Sequence, residues 1–263
     1  MSTLTYAVSD SMTMLRRNLR HMQRYLGLTL MLVGMPVIFL LLFVYVFGAT
    51  LGAGLGDPSG GRADYLDYVV PGIIIMTLST AAQATAISVA MDMNEGIVAR
   101  FRTMAIFRPS VLTGHVLGSM IQSGLSVAVV IGVALLIGFR STAGPLGWIS
   151  AVGILAMAAL ALTWLCVALG LTAKSVETAS NSPMPLMLLP FLGSAFVPTD
   201  TMPLALRWFA EYQPFTPIIE TLRGLLMGTP IGDSAALAVA WCVVITVVCA
   251  RWARRAYNRD PIR

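Results

Sequence analysis

Few residues in this chain could do covalent chemistry, and none stands in a reactive pattern. The sole lysine lies in Gly170-Leu-Thr-Ala-Lys174-Ser175. A phosphate-cradling loop needs glycine immediately before that lysine, so that backbone amides can close on the phosphates, and here the residue is Ala173. There is no HExxH helix, no GxSxG elbow and no pair of acids inside an apolar run. His21 and His115, the two histidines, both fall near the same side of the apolar runs and offer no serine–histidine dyad at depth. Cys166, Cys242 and Cys249 lie inside apolar runs and read as small packing residues, without disulfide or metal-ligand spacing. The expectation is a chain that is not an enzyme, with no metal and no cofactor of its own.

The chemistry that remains is recognition. Between two apolar runs, residues 92–109 carry Asp92, Glu95, Gly96, Arg100, Phe101, Arg102 and Arg108 before Pro109. Ile97, Phe101 and Met104 share one helical face with Arg100 beside them, and Pro109 stops or kinks any helix that precedes it. An amphipathic turn with an exposed aromatic suits a groove on a soluble partner. It suits an interfacial loop dipping into lipid equally well, and the residues alone leave both open. A few uncharged polar or soft side chains sit within apolar runs: Gln83, Gln122, Asn181, Met184, Met187 and Phe191. They are candidates for lining a path through the molecule, although each amide could equally join two helices by hydrogen bonds.

The elements that must position these residues are six apolar stretches free of Asp, Glu, Lys and Arg: 26–47, 69–91, 111–139, 143–173, 178–199 and 234–250. About 20 apolar residues cross a hydrocarbon core of about 30 Å. The prediction is an all-α polytopic membrane protein with six transmembrane helices in one domain, 1–263. Charged residues make up only 11% of the composition, too few for a soluble surface. The net charge of +5 is a topology signal rather than a nucleic-acid footprint. With both termini cytoplasmic, thirteen basic residues face inward: Arg16, Arg17, Arg20, Arg24, Arg100, Arg102, Arg108, Lys174, Arg251, Arg254, Arg255, Arg259 and Arg263. Four face outward, Arg62, Arg140, Arg207 and Arg223, which is a positive-inside bias. The first apolar run is expected to be an uncleaved anchor in the cell membrane, since no small-residue cleavage site accompanies it.

Residues 8–25 bring Met12, Leu15, Leu19 and Met22 to one side at intervals of three and four, with arginines mostly elsewhere. That spacing predicts a helix lying in the inner interface among lipid head groups, though a plain basic anchor would explain the arginines too. The glycine-rich stretch 48–68 reads as a flexible outer connection with solvated acids. Gly114, Gly118, Ser119, Ser123, Gly124 and Gly132 predict that the third crossing packs inside the bundle. His115 reads as a packing or interfacial residue rather than a switch. Pro183, Pro185 and Pro190 forbid a straight fifth helix. Beyond it, 196–230 holds Pro198, Pro203 and Pro214, then a short helix from Thr216 as N-cap to Gly228, with Glu220 and Arg223 able to pair. Two helices too short to span predict a re-entrant or interfacial hairpin near the outer face.

Two regions together carry a family likeness. One is Glu95-Gly96…Arg100-Phe101-Arg102-Thr103-Met104…Pro109. The other is Phe196-Val197-Pro198…Met202-Pro203…Gln213-Pro214-Phe215-Thr216…Leu222-Arg223-Gly224-Leu225-Leu226…Gly228. In these, and in length and the order of its apolar runs, the chain resembles the type-2 ABC exporter permeases, above all the daunorubicin/doxorubicin-resistance group. The resemblance implies a permease that pairs with a second permease, the same or homologous, and with two separate ATPase subunits that hold ATP and magnesium. It implies that 92–109 is a cytoplasmic coupling loop seated on the ATPase through Glu95, Gly96, Arg100, Phe101 and Arg102. It further implies that 8–25 is the interfacial connecting helix, and that Pro198, Pro203, Pro214, Arg223 and Gly228 shape re-entrant outer-leaflet helices. Ile97-Val98-Ala99 departs from the threonine–apolar–acidic pattern of many members. The function implied is export of apolar or amphiphilic compounds; the alternatives are a passive channel or facilitator, and a non-transporting membrane scaffold.

Overall fold

A computed structural model describes residues 12, 13, 16, 26–55, 61–96 and 109–258, and the described residues are all helix, turn or connection. Helix α1, Leu26–Leu42, runs through a π-helical turn at Phe43–Phe47 into α2, Gly48–Gly52, and a 3₁₀ turn at Ala53–Leu55. The stretch expected as a flexible loop is therefore helical at both ends, because α3 already begins at Arg62. Helix α3 runs Arg62–Asn94, 33 residues. At 1.5 Å per residue that is about 50 Å, so its ends project beyond a hydrocarbon core of about 30 Å. Asp64 starts it by accepting the Gly61 amide at 2.9 Å, one half of a capping box. Asp64 is thus a capping residue, and Asp67, half-buried, accepts the Arg140 amide at 3.5 Å.

Helix α4, Pro109–Leu136, and helix α5, Pro145–Thr172, each open on proline, where a missing amide costs nothing. The fifth apolar stretch breaks as its prolines require. It forms α6 at Val176–Asn181, capped by the Ser175 hydroxyl on the Thr178 amide at 3.1 Å. Next come α7 at Met184–Leu188 and a 3₁₀ turn at Leu189–Leu192. A further 3₁₀ turn at Thr199–Thr201 leads to α8, Leu204–Tyr212, and α9, Phe215–Met227. Helix α10, Ser234–Asn258, closes the described chain.

Five of these elements are long and apolar enough to cross a membrane: Leu32–Gly52, Arg62–Asn94, Leu112–Leu136, Pro145–Thr172 and Ser234–Asn258. Helix α3 is the buried axis, with α4, α5, α6 and α9 packed around it and α10 laid along α5. Small residues set the closest approaches. A β-carbon at Gly170 of α5 would stand 2.6 Å from the Ala86 carbonyl of α3, and one at Gly72 would stand 2.7 Å from Ala195. Outward-facing Ile38, Leu125, Ile149, Val152, Val244 and Val248 form an apolar belt that only lipid or another membrane chain can cover.

Helix α4 departs from the expectation that it is wholly interior. Gly114, Gly118, Ser119 and Ser123 are buried, but Gly124 is exposed and Gly132 half-exposed. The small residues near its start meet neighbouring helices, and those further along face outward.

Candidate functional site

Two polar clusters, one at each end of α3, position the regions singled out from sequence. At the end leading into 92–109, α3 finishes at Asn94, Glu95 caps it, and Gly96 turns the chain away with φ +69. A left-handed residue after a helix is the usual place for glycine, since a β-carbon would be strained there. Asp92, one turn earlier, accepts a hydrogen bond from His115 Nε2 at 3.0 Å, with the imidazole 4% exposed. His115 therefore clamps α4 to the last turn of α3, a role that sequence spacing alone did not reveal. Beneath this pair, Val89, Leu112, Val116, Val167, Ala168, Ala253 and Tyr257 form a separate apolar cluster joining α3, α4, α5 and α10. Of the coupling-loop candidates, Glu95 and Gly96 end α3 just after Asp92, while Arg100, Phe101 and Arg102 lie outside the described residues. So does most of 8–25, of which Met12, Thr13 and Arg16 are helical and exposed.

A layer of hydroxyls follows within the bundle. Thr85 donates to Ser119 at 2.8 Å, and Ser119 lies 3.1 Å from the Thr163 hydroxyl, so α3, α4 and α5 meet at three short side chains. Gln83 donates to the Ser180 carbonyl at 2.8 Å and ties α3 to α6.

At the other end, Arg223 of α9 is the organiser. Its guanidinium donates to the Tyr68 carbonyl at 3.1 and 3.2 Å, to the Ser194 carbonyl at 2.7 Å and to Glu220 at 2.6 Å. It also stacks 3.7 Å from the centre of the Tyr68 ring, close enough for a cation–π contact. One side chain thus joins α9, the start of α3 and the turn after the broken segment. Around it, Tyr65 donates to the Phe196 carbonyl at 3.2 Å and Gln213 to the Leu189 carbonyl at 2.9 Å. Ser141 and Thr142 donate to the carbonyls of Leu226 and Met227 at 2.6 and 2.5 Å. Those carbonyls belong to the last turn of α9, which lacks helical partners for them. Gly228 then ends α9 in the left-handed region, φ +66. The helix begins at Phe215 after Pro214, one residue before the Thr216 expected as its cap. Thr216 instead turns its hydroxyl to the Ser194 amide at 3.4 Å.

Pro198 and Pro203 stand in extended backbone immediately before Thr199–Thr201 and α8. On α8, Arg207 pairs with Asp200 at 3.0 Å and Glu211 at 2.7 Å, and the Glu211 contact pushes its pKa above the ordinary arginine value. Trp208 and Tyr212 project outward from the same helix.

Of the six path candidates, Asn181, Met184, Met187 and Phe191 lie on the broken segment, Gln83 bonds to that segment, and Gln122 lies on α4. Asn181 and Met184 are exposed on the broken segment and Met187 is half-buried there. Phe191 stacks on Phe196 with ring centres 4.5 Å apart, and Phe43 stacks on Phe196 at 4.3 Å. Gln122 is half-exposed on α4, and Gln83 is the helix tie already described. Among the described residues, no cluster of His, Cys, Asp and Glu could hold a metal ion.

A helical membrane bundle with a broken penultimate segment and two short helices before its last span defines a class that comparison makes specific. The ABC-2 type transporter family profile matches residues 10–227, and the chain belongs to that family. It is therefore a multi-pass membrane permease subunit of an ABC transporter. It is similar to the daunorubicin resistance ABC transporter permease protein DrrB1 of Streptomyces coeruleorubidus, at 29% identity over 225 residues. That match covers 85% of this chain and 77% of the relative. It is similar also to the probable doxorubicin resistance ABC transporter permease protein DrrC of Mycobacterium tuberculosis (strain ATCC 25618 / H37Rv), 29% identical over 185 residues, 69% of this chain and 66% of the relative.

Proposed function

We propose that this permease exports apolar or amphiphilic compounds, such as drug-like molecules, lipids or secondary metabolites, driven by ATP that separate subunits bind and hydrolyse. Family membership over residues 10–227 carries this reading, and the relatives named for daunorubicin and doxorubicin resistance support its cargo class. The chemistry of the spans agrees with it. Between the charged clusters at the two ends of α3 the described interior is lined by uncharged side chains, which offer nothing to neutralise a strongly charged solute, and proton-coupled carriers keep acids within their spans. Energy must then come from partners, namely two ATPase subunits with their ATP and magnesium.

In this reading the broken segment formed by α6, α7 and the following 3₁₀ turn is a sixth crossing, interrupted where protein packing satisfies its backbone. Both termini lie in the cytoplasm, α8 and α9 re-enter the outer leaflet, and the whole chain is one permease domain. A second permease, identical or homologous, completes the path, with Asn181, Met184 and Met187 on the exposed broken segment facing it. The loop 92–109 docks on an ATPase through Glu95, Gly96, Arg100, Phe101 and Arg102. The pair formed by Asp92 and His115 passes movement of that loop to α4. Residues 8–25 lie along the inner interface.

The test is a mild-detergent pull-down of the tagged chain, comparing wild type with the double variant Phe101→Ala, Arg100→Glu. The expected result is a co-purifying P-loop ATPase that the folded double variant loses. A stable wild-type chain that never recovers an ATPase would favour a passive channel, and the broken segment would then be its pore. An ATPase retained at full stoichiometry by the double variant would move the coupling site elsewhere.

A further inference from the structure

A cavity of about 280 Å³ lies between α3, α4, α5 and α9, and none of the path candidates named above is in its lining. Its walls are almost wholly apolar: Ile74 and Leu78 of α3, Met120 and Val127 of α4, Leu155 of α5 and Leu222 of α9 are representative. Trp148 contributes the one side-chain nitrogen of the lining. The cavity is not sealed, since Gly124, Ala128, Val152 and Ala156 line it and are also exposed. Leu125, Val129 and Ile149, exposed on the same two helices, make the surrounding surface apolar as well. The space lacks the two to four polar partners that each ordered water needs. Drug-sized ligands take pockets of about 300–1,000 Å³ with a few placed polar groups, and this space, at the foot of that range, has almost none. A slender hydrocarbon suits such a lining.

We propose that this cavity binds the acyl chain of an anionic phospholipid, with Arg140 holding its phosphate. Arg140 lies in the connection 137–144 that joins α4 to α5, the two helices forming the open side. Asp67 engages its backbone amide, and its guanidinium donates to the Phe139 carbonyl at 3.4 Å and is otherwise exposed. A cation in the connection between the two helices of the slot's open side matches the two-part chemistry of a phospholipid, anionic head and hydrocarbon tail. Gly124 provides the mouth, for a β-carbon there meets no atom within 4 Å. The leaflet concerned is the outer one under the proposed topology; the binding itself does not depend on that topology or on any ATPase.

Native mass spectrometry of the purified full chain in detergent, titrated with dioleoylphosphatidylglycerol, tests the assignment. Wild type is expected to hold one lipid saturably. Gly124→Phe and Ala156→Phe, which fill the slot, should weaken that binding by about tenfold, the cost of losing roughly two buried methylenes. Leu125→Phe, on the same face outside the slot, should leave it unchanged. Arg140→Gln should weaken phosphatidylglycerol while sparing dioleoylglycerol, which lacks the phosphate; equal loss of both would overturn the role of Arg140. Thermal unfolding confirms that each variant folds, and the smaller Ala156→Leu carries the comparison if either phenylalanine variant does not. Unchanged lipid stoichiometry in the filled variants would overturn the proposal. Displacement of the lipid by daunorubicin at one-to-one stoichiometry would make the slot a cargo site instead. A dimer that Gly124→Phe converts to monomer would make it an interface between copies.

Discussion

The two ends of α3 are held by different physics. At the Arg223 end, helices too short to fold on burial alone are fastened by side chains that donate to backbone carbonyls. Arg223, Tyr65, Gln213, Ser141 and Thr142 all act this way. Helix α8 has 9 residues and α9 has 13, lengths at which an isolated helix is marginal in water. At the Asp92 end, helices of 33, 28 and 28 residues already satisfy their own backbones. There, apart from Gln83 on the Ser180 carbonyl, the polar contacts between helices run side chain to side chain, His115 to Asp92 and Thr85 to Ser119 to Thr163. The lesson is that polar groups build the fold at one end and align finished helices at the other. Substitutions should therefore cost most where a carbonyl loses its donor.

The largest effect is expected at Arg223. Arg223→Ala removes three carbonyl contacts, orphans Glu220 and uncovers Tyr68. Removing one partner from a largely buried charged network costs about 3–5 kcal/mol, and Glu220, half-buried at 38% exposure, holds the value to the lower end of that range. The expected outcome is low membrane yield and a sharply lower unfolding temperature in detergent. Arg223→Lys should recover only part, because a single ammonium cannot fork between Tyr68, Ser194 and Glu220. Wild-type stability in Arg223→Ala would erase the contrast between the two ends.

An intermediate effect is expected at the opposite end. His115→Ala takes one donor from the Asp92 carboxylate, which is 14% exposed, at a cost of about 1–3 kcal/mol. The drop should show in thermal unfolding of the purified chain and should be smaller than that of Arg223→Ala. A larger drop would mean that the His115 clamp, and not helix packing, holds the bundle together beneath 92–109.

How much of this could be read in the sequence follows from range. Glu220 and Arg223 are three residues apart, and their pairing was foreseeable from helical geometry alone. The proline breaks at Pro183 and Pro190 and the stop at Gly228 are equally local and were legible. Arg223 meets Tyr68 across 155 residues and Ser194 across 29, and no spacing rule encodes such meetings. Asp92 follows the end of one apolar run and His115 lies near the start of the next, but nothing in the pattern says that they face each other. Thr216 looked like a cap because a proline followed it, and its hydroxyl was drawn instead to the Ser194 amide. The slot behind Gly124 was illegible for a further reason: it is the gap left by four helices, and gaps have no residues of their own.

The smallest effect belongs to the hydroxyl layer. Thr85 also donates towards the Ala81 carbonyl of its own helix at 3.4 Å, so losing Ser119 leaves it a local alternative. Interhelical hydrogen bonds within membranes average only about 0.6 kcal/mol in double-mutant cycles, because the separated helices find other partners. A cycle of Thr85→Ala, Ser119→Ala and the double variant, followed by unfolding in mixed micelles, should return a coupling of about that size. Serine at 119 lies 3.1 Å from Thr163 as well, so Ser119→Ala alone should cost more than Thr85→Ala. A coupling near that of a buried charged bond, about 1.5–3 kcal/mol, would mean that these hydroxyls build the fold as Arg223 does, and the division between the two ends of α3 would no longer stand.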